Sequence, residues 1–306
     1  MSPRSGPDVL TGTLDTARWS YTTHTFRALG HRFAVRSTDD DLGRLFDGLY
    51  RPCAVPGQPD TWYSVVTTDP ESLQRELYVD DQRVGCLDRP SWLVRWLTWH
   101  VNHRVIECTD DHVLLHAAVA ARDGVGVVLP AASEAGKTTL VAGLVRAGYD
   151  YLSDEAAAID PATLQIAPYP KPLAIDRGSW EVLADFAPDE AEVARGYHER
   201  QWLVNPASVR PDAISGPVPA SIVVFPRFER GAATTCEPVR RSEALLEALR
   251  HTFRFHDAGR RNLEVLARTL RGAYCYRLVT GNLTKACVAI DELTAAAAED
   301  DAGEGA

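Results

Sequence analysis

Residues 131 to 139, Ala-Ala-Ser-Glu-Ala-Gly-Lys-Thr-Thr, constrain this chain more than any other stretch. An apolar run, Val125-Gly-Val-Val-Leu, precedes them, and a helical pattern from about Lys137 to Ala147 follows. A strand, a loop of small residues and a helix, in that order, aim several backbone N–H groups and the positive end of a helix dipole at one point. The stretch matches G-x-x-x-x-G-K-[ST] everywhere except its first position, where Ala131 replaces glycine. On this reading Ala131, Ala132, Ser133, Glu134, Ala135, Gly136, Lys137, Thr138 and Thr139 form a nucleotide-binding loop. Lys137 faces solvent and ligand and reaches the β- and γ-phosphates, and the Thr138 hydroxyl ligates Mg²⁺. Thr139 reads as a helix residue that packs. The competing reading is a strand–turn–helix connection with an ordinary surface lysine. Glu134 runs against the pattern, because a carboxylate in the cradle repels a triphosphate unless it points outward or contacts the metal.

Further along stands Tyr151-Leu-Ser-Asp154-Glu155. Acids ending a strand after such a helix are where a nucleoside triphosphatase places its Mg²⁺ and base carboxylates. Asp154 is the candidate base for the proton of an acceptor hydroxyl, directly or through the metal's coordination shell, and Glu155 helps hold the metal. His116 lies on the strand before the loop's own strand, Val113-Leu-Leu-His-Ala-Ala-Val-Ala. By itself it reads as a packed histidine.

Leu114-Leu-His-Ala-Ala-Val, the turn at Asp123-Gly124, Val127-Val-Leu, Gly136-Lys-Thr-Thr-Leu, Leu144-Val-Arg-Ala-Gly and Leu152-Ser-Asp-Glu occur in one continuous order. That order resembles the catalytic domain of HPr kinase/phosphorylase, and more closely the HPr kinase-related proteins. Tyr169-Pro-Lys-Pro-Leu and Val223-Val-Phe-Pro-Arg-Phe extend the likeness. The resemblance implies an α/β fold with a phosphoenolpyruvate-carboxykinase-like P-loop domain, a mixed sheet with flanking helices. It implies that His116 stands near the phosphates, that Asp154 and Glu155 are the metal-and-base pair, and that Lys171 and Arg227 are second-tier phosphate or substrate contacts. It also makes a homo-oligomer an open expectation. Three departures stand out: Ala131 and Glu134 replace glycines, Glu155 stands where the enzymes tend to have Asp, and no segment matches the one that recognises HPr. HPr itself is therefore not the expected substrate.

The remaining pattern organises the chain around this centre. Residues 1–12 read as loose, 13–105 as a small α+β domain, 106–297 as the P-loop catalytic domain and 298–306 as a disordered acidic tail. Strands are expected at Phe33-Ala-Val-Arg, Trp62-Tyr-Ser-Val-Val and Glu76-Leu-Tyr-Val, and a helix at 39–50. Residues 52–59 read as a loop. A helix opened by Pro90 runs to about Arg104, with its three tryptophans as a packing face. Later elements are a strand from Ser221 to Phe225, helices near 242–253 and 260–271, a strand from Tyr274 and a last helix near 283–297.

The 306 residues carry a net charge of -10, which argues against nucleic acid or an anionic membrane as a partner. The six cysteines form no C-x-x-C pair, no apolar run reaches membrane-spanning length, and the start lacks a signal-peptide core. These features predict a cytoplasmic protein. The expected activity is an ATP- and Mg²⁺-dependent kinase acting on a Ser/Thr hydroxyl of a peptide or protein, or on a small-molecule alcohol. The alternative is a catalytically weak nucleotide-binding regulatory or scaffold protein.

Overall fold

The computed structural model describes residue 14 and residues 18–67, 74–132 and 135–304. The expectations for residues 1–12, Ser133 and Glu134 lie outside the described residues. The chain is a mixed α/β protein that separates into two compact units. One holds Met1–Arg27, His31–Arg104 and Asp189–Glu199, and the other holds Ala28–Gly30, Val105–Pro188 and Arg200–Ala306. No periodicity or composition change in the sequence marks residues 189–199 as part of the first unit.

The first unit is built on one sheet. Its strands are β1 (Tyr21–Thr22), β2 (Thr25–Ala28), β3 (His31–Ser37), β4 (Ala54–Val55), β5 (Thr61–Thr67), β6 (Arg75–Val79) and β7 (Gln82–Leu87). The order is β4-β2-β3-β5-β6-β7, with β1 on β3. The β3–β5 pair is parallel and needs a crossover, which contains the helix Asp40–Leu49. That helix begins where the Asp39 carboxylate accepts a hydrogen bond from Leu42 N at 3.2 Å, and it buries Leu42, Leu45, Phe46 and Leu49. Phe33 meets Tyr50 and Tyr63 edge-on and Phe26 at a tilt, with ring centroids 5.2 to 5.9 Å apart.

Two expectations for this unit need correction. The stretch 52–59 is not all loop, because Ala54–Val55 pairs with β2. The helix opened by Pro90 runs to Cys108, and its tryptophans are not its packing face. Leu93, Leu97, Val101 and Val105, four residues apart, are buried, whereas Trp92 and Trp99 are 38% and 57% exposed. Aliphatic side chains leave no N–H to satisfy, so they take the core-facing stripe.

The second unit carries β8 (Val113–Arg122), β9 (Val125–Pro130), β10 (Asp150–Ser153), β11 (Ala156–Ile159), β12 (Gln165–Ala167), β13 (Leu173–Asp176), β14 (Gln201–Val204), β15 (Val218–Phe228), β16 (Thr235–Pro238) and β17 (Tyr274–Thr280). β8 and β9 form an antiparallel hairpin turned at Asp123 and Gly124, whose φ values of 53° and 82° suit a tight two-residue turn. β15 lies parallel to both β9 and β17. The carboxyl ends of these three strands therefore point the same way. Pairing also runs from β8 through β11 and β12 to β15. β13 and β14 form a separate pair.

Every residue of β9 is buried, as expected of a strand covered on both faces. One face packs on the helices Lys137–Arg146 and Leu283–Glu304 through Leu140, Val141, Leu144, Ile222, Val224 and Ile290. The other packs on Arg241–Arg250 and Phe255–Arg271 through Val223, Phe225, Ala244, Ala248 and Leu266. Gly148 ends the helix Lys137–Arg146 at φ 99°, a conformation that suits glycine. The last helix continues to Glu304, so the acidic tail expected to lack structure from residue 298 is helical that far. No helix among the described residues is long and apolar enough to cross a membrane.

Candidate functional site

Sheet register brings the site together. Ala117 of β8 lies opposite Pro130, the last residue of β9, so His116 stands one position beyond the end of β9, where the 131–136 loop begins. The loop enters its helix through Gly136, whose φ of 88° lies in the left-handed region. Space does not demand the glycine, since an added Cβ would find its nearest atom, Phe228 Cβ, at 3.9 Å. The backbone conformation demands it.

Beyond Gly136 the Lys137 side chain turns under the loop. Its Nζ lies 2.8 Å from the carbonyls of Ala131 and Ala132 and 2.9 Å from His116 Nε2. An ammonium has three N–H donors, and these three acceptors use them all. His116 then accepts at Nε2 and carries its proton on Nδ1, which faces Glu155 Oε1 at 3.6 Å without a hydrogen bond. Lys137 is thus not the solvent-facing residue expected, being only 6% exposed. Two loop carbonyls and an imidazole take the place of water around its charge. Burial lowers the Lys137 pKa to about 8 against the pull of Glu155 and Asp154. Burial, and then Lys137 and His251, lower that of His116 to about 4. His116 is neutral at physiological pH.

The acidic pair sits in a break in a strand. β10 stops at Ser153 and pairing on β8 resumes at Ala156 as β11, with a register shift between Tyr151 and Ser153. Ser153 Oγ accepts from the amides of Glu155 at 3.1 Å and Ala156 at 3.0 Å, so neither needs a ladder partner there. Irregularities of this kind re-aim side chains beside a site. Asp154 is buried and well held. Thr138 Oγ1 donates to its Oδ2 at 3.0 Å, Tyr151 Oη donates to its Oδ1 at 2.9 Å, and Lys171 Nζ is 2.6 Å from the same Oδ1. Ala174 N donates to Oδ2 at 3.4 Å. The Lys171 and Asp154 side chains are 4% and 2% exposed, a buried ion pair. Glu155 is more open, at 28%, and burial raises its pKa.

The structure therefore joins His116, Lys137, Thr138, Asp154, Glu155 and Lys171 in one cluster. Thr139 lies on the helix, half-buried, with its hydroxyl 2.5 Å from that of Ser179. Arg227 is not joined to the cluster: it is exposed and pairs with Glu229 Oε1 at 2.7 Å. Sequence reading missed the segment that closes the cluster along β8. The helix expected over 242–253 stops at Arg250, and the residues after it pair with β8. His251 O accepts from His116 N at 2.7 Å, Phe253 N donates to Leu114 O at 2.9 Å, and the Phe253 ring meets the His116 ring edge-on. No local signal announces this pairing, which spans more than a hundred residues. A cleft lined by Gly143, Arg146, Val182, Asn282 and Cys287 lies toward the other end of the helix Lys137–Arg146 and holds none of these groups.

Among the described residues no group of three or more His, Cys, Asp or Glu could hold a metal ion. Mg²⁺ does not require such a cage, because it is commonly held by one or two protein oxygens together with water and substrate phosphates. Thr138 Oγ1 and Asp154 Oδ2, 3.0 Å apart, offer a hydroxyl and a carboxylate of that kind. No model of a known protein family matches the chain, and no curated protein matches it.

Proposed function

We propose that this chain is an ATP- and Mg²⁺-dependent kinase that phosphorylates a hydroxyl group, built on a phosphoenolpyruvate-carboxykinase-like P-loop domain related to HPr kinase/phosphorylase. One observation carries the reading. Gly136-Lys-Thr opens a helix whose lysine is bonded to His116 and whose threonine is bonded to Asp154, so residues 116, 137, 138 and 154 form one connected set. A strand–turn–helix connection with a surface lysine would have no reason to bury that lysine against an imidazole and two loop carbonyls.

In this mechanism the loop N–H groups and the helix N-terminus bind the β- and γ-phosphates. Lys137 exchanges the carbonyls of Ala131 and Ala132 for phosphate oxygens. Thr138 and Asp154 would hold Mg²⁺, which supplies positive charge against the phosphates when bound. A neutral His116 donates from Nδ1 or accepts at Nε2 without adding charge. The acceptor oxygen bonds to the γ-phosphorus, the bridging P–O bond breaks and ADP departs. The acceptor proton passes to a carboxylate. Asp154, already contacted by Thr138, Tyr151, Lys171 and Ala174, suits a fixed ligand. Glu155, more open and with a raised proton affinity, suits the base better than the sequence expectation for Asp154 does. Positioning and fixed charge provide most of the acceleration.

The test is incubation with Mg²⁺, γ-labelled ATP and a panel of Ser/Thr peptides, proteins and small alcohols, with mass spectrometry of the products. The expected result is a phosphate on one acceptor, lost in Lys137→Met. Tight ATP binding with no transfer to any acceptor would replace the kinase reading with that of a nucleotide-binding regulatory protein.

A further inference from the structure

Phe228 is one of several large apolar side chains that the second unit leaves exposed, with Leu246, Val288 and Tyr274, and its place in the sheet sets it apart. It is the last residue of β15 and is 59% exposed, although the strand residues before it, Ile222 to Phe225, are buried. Strand alternation fixes which side it occupies. Ile222 and Val224 belong to the core that contains Leu140, Val141 and Leu144 of the helix following the loop, whereas Val223 and Phe225 belong to the opposite core. Phe228 shares the parity of 222 and 224 and so projects on the loop's side of the sheet, and Arg227 projects on the other. The proximity of Phe228 Cβ to Gly136 agrees, at 3.9 Å from the position an added Cβ would take.

The end of the sheet matters as much as the face. β9, β15 and β17 run parallel, and Phe228 pairs in register with Thr280, the last residue of β17. Phe228 therefore lies at the carboxyl end of the parallel strands, beside the glycine through which the loop enters its helix. Ligands of open α/β sheets bind outside the carboxyl ends of parallel strands. An apolar ring left uncovered there, next to a loop suited to phosphates, fits the remaining part of a nucleotide, its flat aromatic base.

We infer that Phe228 is the platform on which the nucleotide base stacks. The inference rests on the reading of the 131–138 loop as the phosphate site of ATP and adds the residue that holds the base. Stacking is tolerant of base identity and scales with ring area, so purines bind better than pyrimidines.

Calorimetric titration of the full chain with Mg²⁺–ATP, Mg²⁺–CTP and Mg²⁺–tripolyphosphate tests it. Wild type should bind ATP more tightly than CTP, and CTP more tightly than tripolyphosphate. Phe228→Ala should weaken ATP binding by about tenfold or more, the usual effect of removing a base–aromatic stack, and leave tripolyphosphate binding unchanged. Phe228→Trp should retain ATP binding. The residue is exposed, so both variants should keep the thermal unfolding midpoint of wild type. If Phe228→Ala binds ATP as wild type does, the platform is wrong and the loop reading stands. If Phe228→Ala weakens ATP and tripolyphosphate equally, the side chain shapes the loop and the platform is again wrong. If wild type binds neither ligand, the loop reading fails and takes the platform with it.

Discussion

At the scale of single residues, the chemistry turns on how two lysines and two acids share a small volume. Lys137 is held by two carbonyls and His116, so Lys137→Met leaves three acceptors to find water. Such losses cost about 1–3 kcal/mol, and we expect a lowered unfolding midpoint with no phosphoryl transfer, measured by calorimetry and product analysis. The two acids should separate by phenotype. Asp154→Asn should weaken Mg²⁺-dependent ATP binding, whereas Glu155→Gln should leave ATP binding near wild type and abolish transfer. The opposite pattern would return the base to Asp154. Lys171 lies in a buried pair with Asp154, so Lys171→Met strands a carboxylate and should cost about 3–5 kcal/mol in urea unfolding. His116 supplies a pH signature. Its folded pKa of about 4 lies below its ordinary 6.5, so the unfolded chain binds the extra proton first. The stability linked to it is complete above pH 6.5 and is lost as the pH falls toward 4. Unfolding midpoints of His116→Gln and wild type should therefore converge as pH drops from 7 to 4. Equal slopes in both proteins would remove His116 from the titration.

Among secondary-structure elements, legibility depended on how local the cause was. The helix Lys137–Arg146, its start at Gly136 and its stop at Gly148 were readable because left-handed backbone and helix caps are written in neighbouring residues. Gly136→Ala should cost about 1–2 kcal/mol from the strained φ alone, read as a lower unfolding midpoint together with weaker ATP binding. The β8–β9 hairpin was equally readable from Asp123-Gly124. β11 was not, because three of its four residues are alanines, which do not favour strands, and the β8 edge holds it instead. The pairing of residues 251–253 with β8 was invisible for a related reason, since only the folded sheet presents the edge it uses. Gly126 belongs to this class too. A Cβ there would lie 2.0 Å from Pro219 O, so Gly126→Ala must part β9 from β15. A cost of about 3 kcal/mol, the upper end for overpacking, should appear in chemical unfolding.

For the molecule as a whole, the net charge of -10 coexists with a cluster in which two lysines face two acids, so global charge says little about the local ligand. All residues of the proposed phosphate site belong to the second unit, and ATP should stabilise that unit selectively. At a hundred times its dissociation constant, Mg²⁺–ATP adds about 2.7 kcal/mol and should raise that unit's midpoint by about 5–10 °C. Hydrogen exchange should slow in residues 112–140 and 150–156 and not in the β1–β7 sheet. Taken alone, the sequence determined the mixed α/β class, the strand–loop–helix around Gly136 and the residue types able to meet a phosphate, because each follows from neighbours a few positions apart. The tertiary structure alone decided that Asp154 is clamped while Glu155 stays more open, that Lys137 is buried, and that Phe228 rather than Arg227 flanks the loop. Those outcomes depend on which parts of the folded chain meet, and for Phe228 on strand register, since a one-residue change in β15 would exchange it with Arg227.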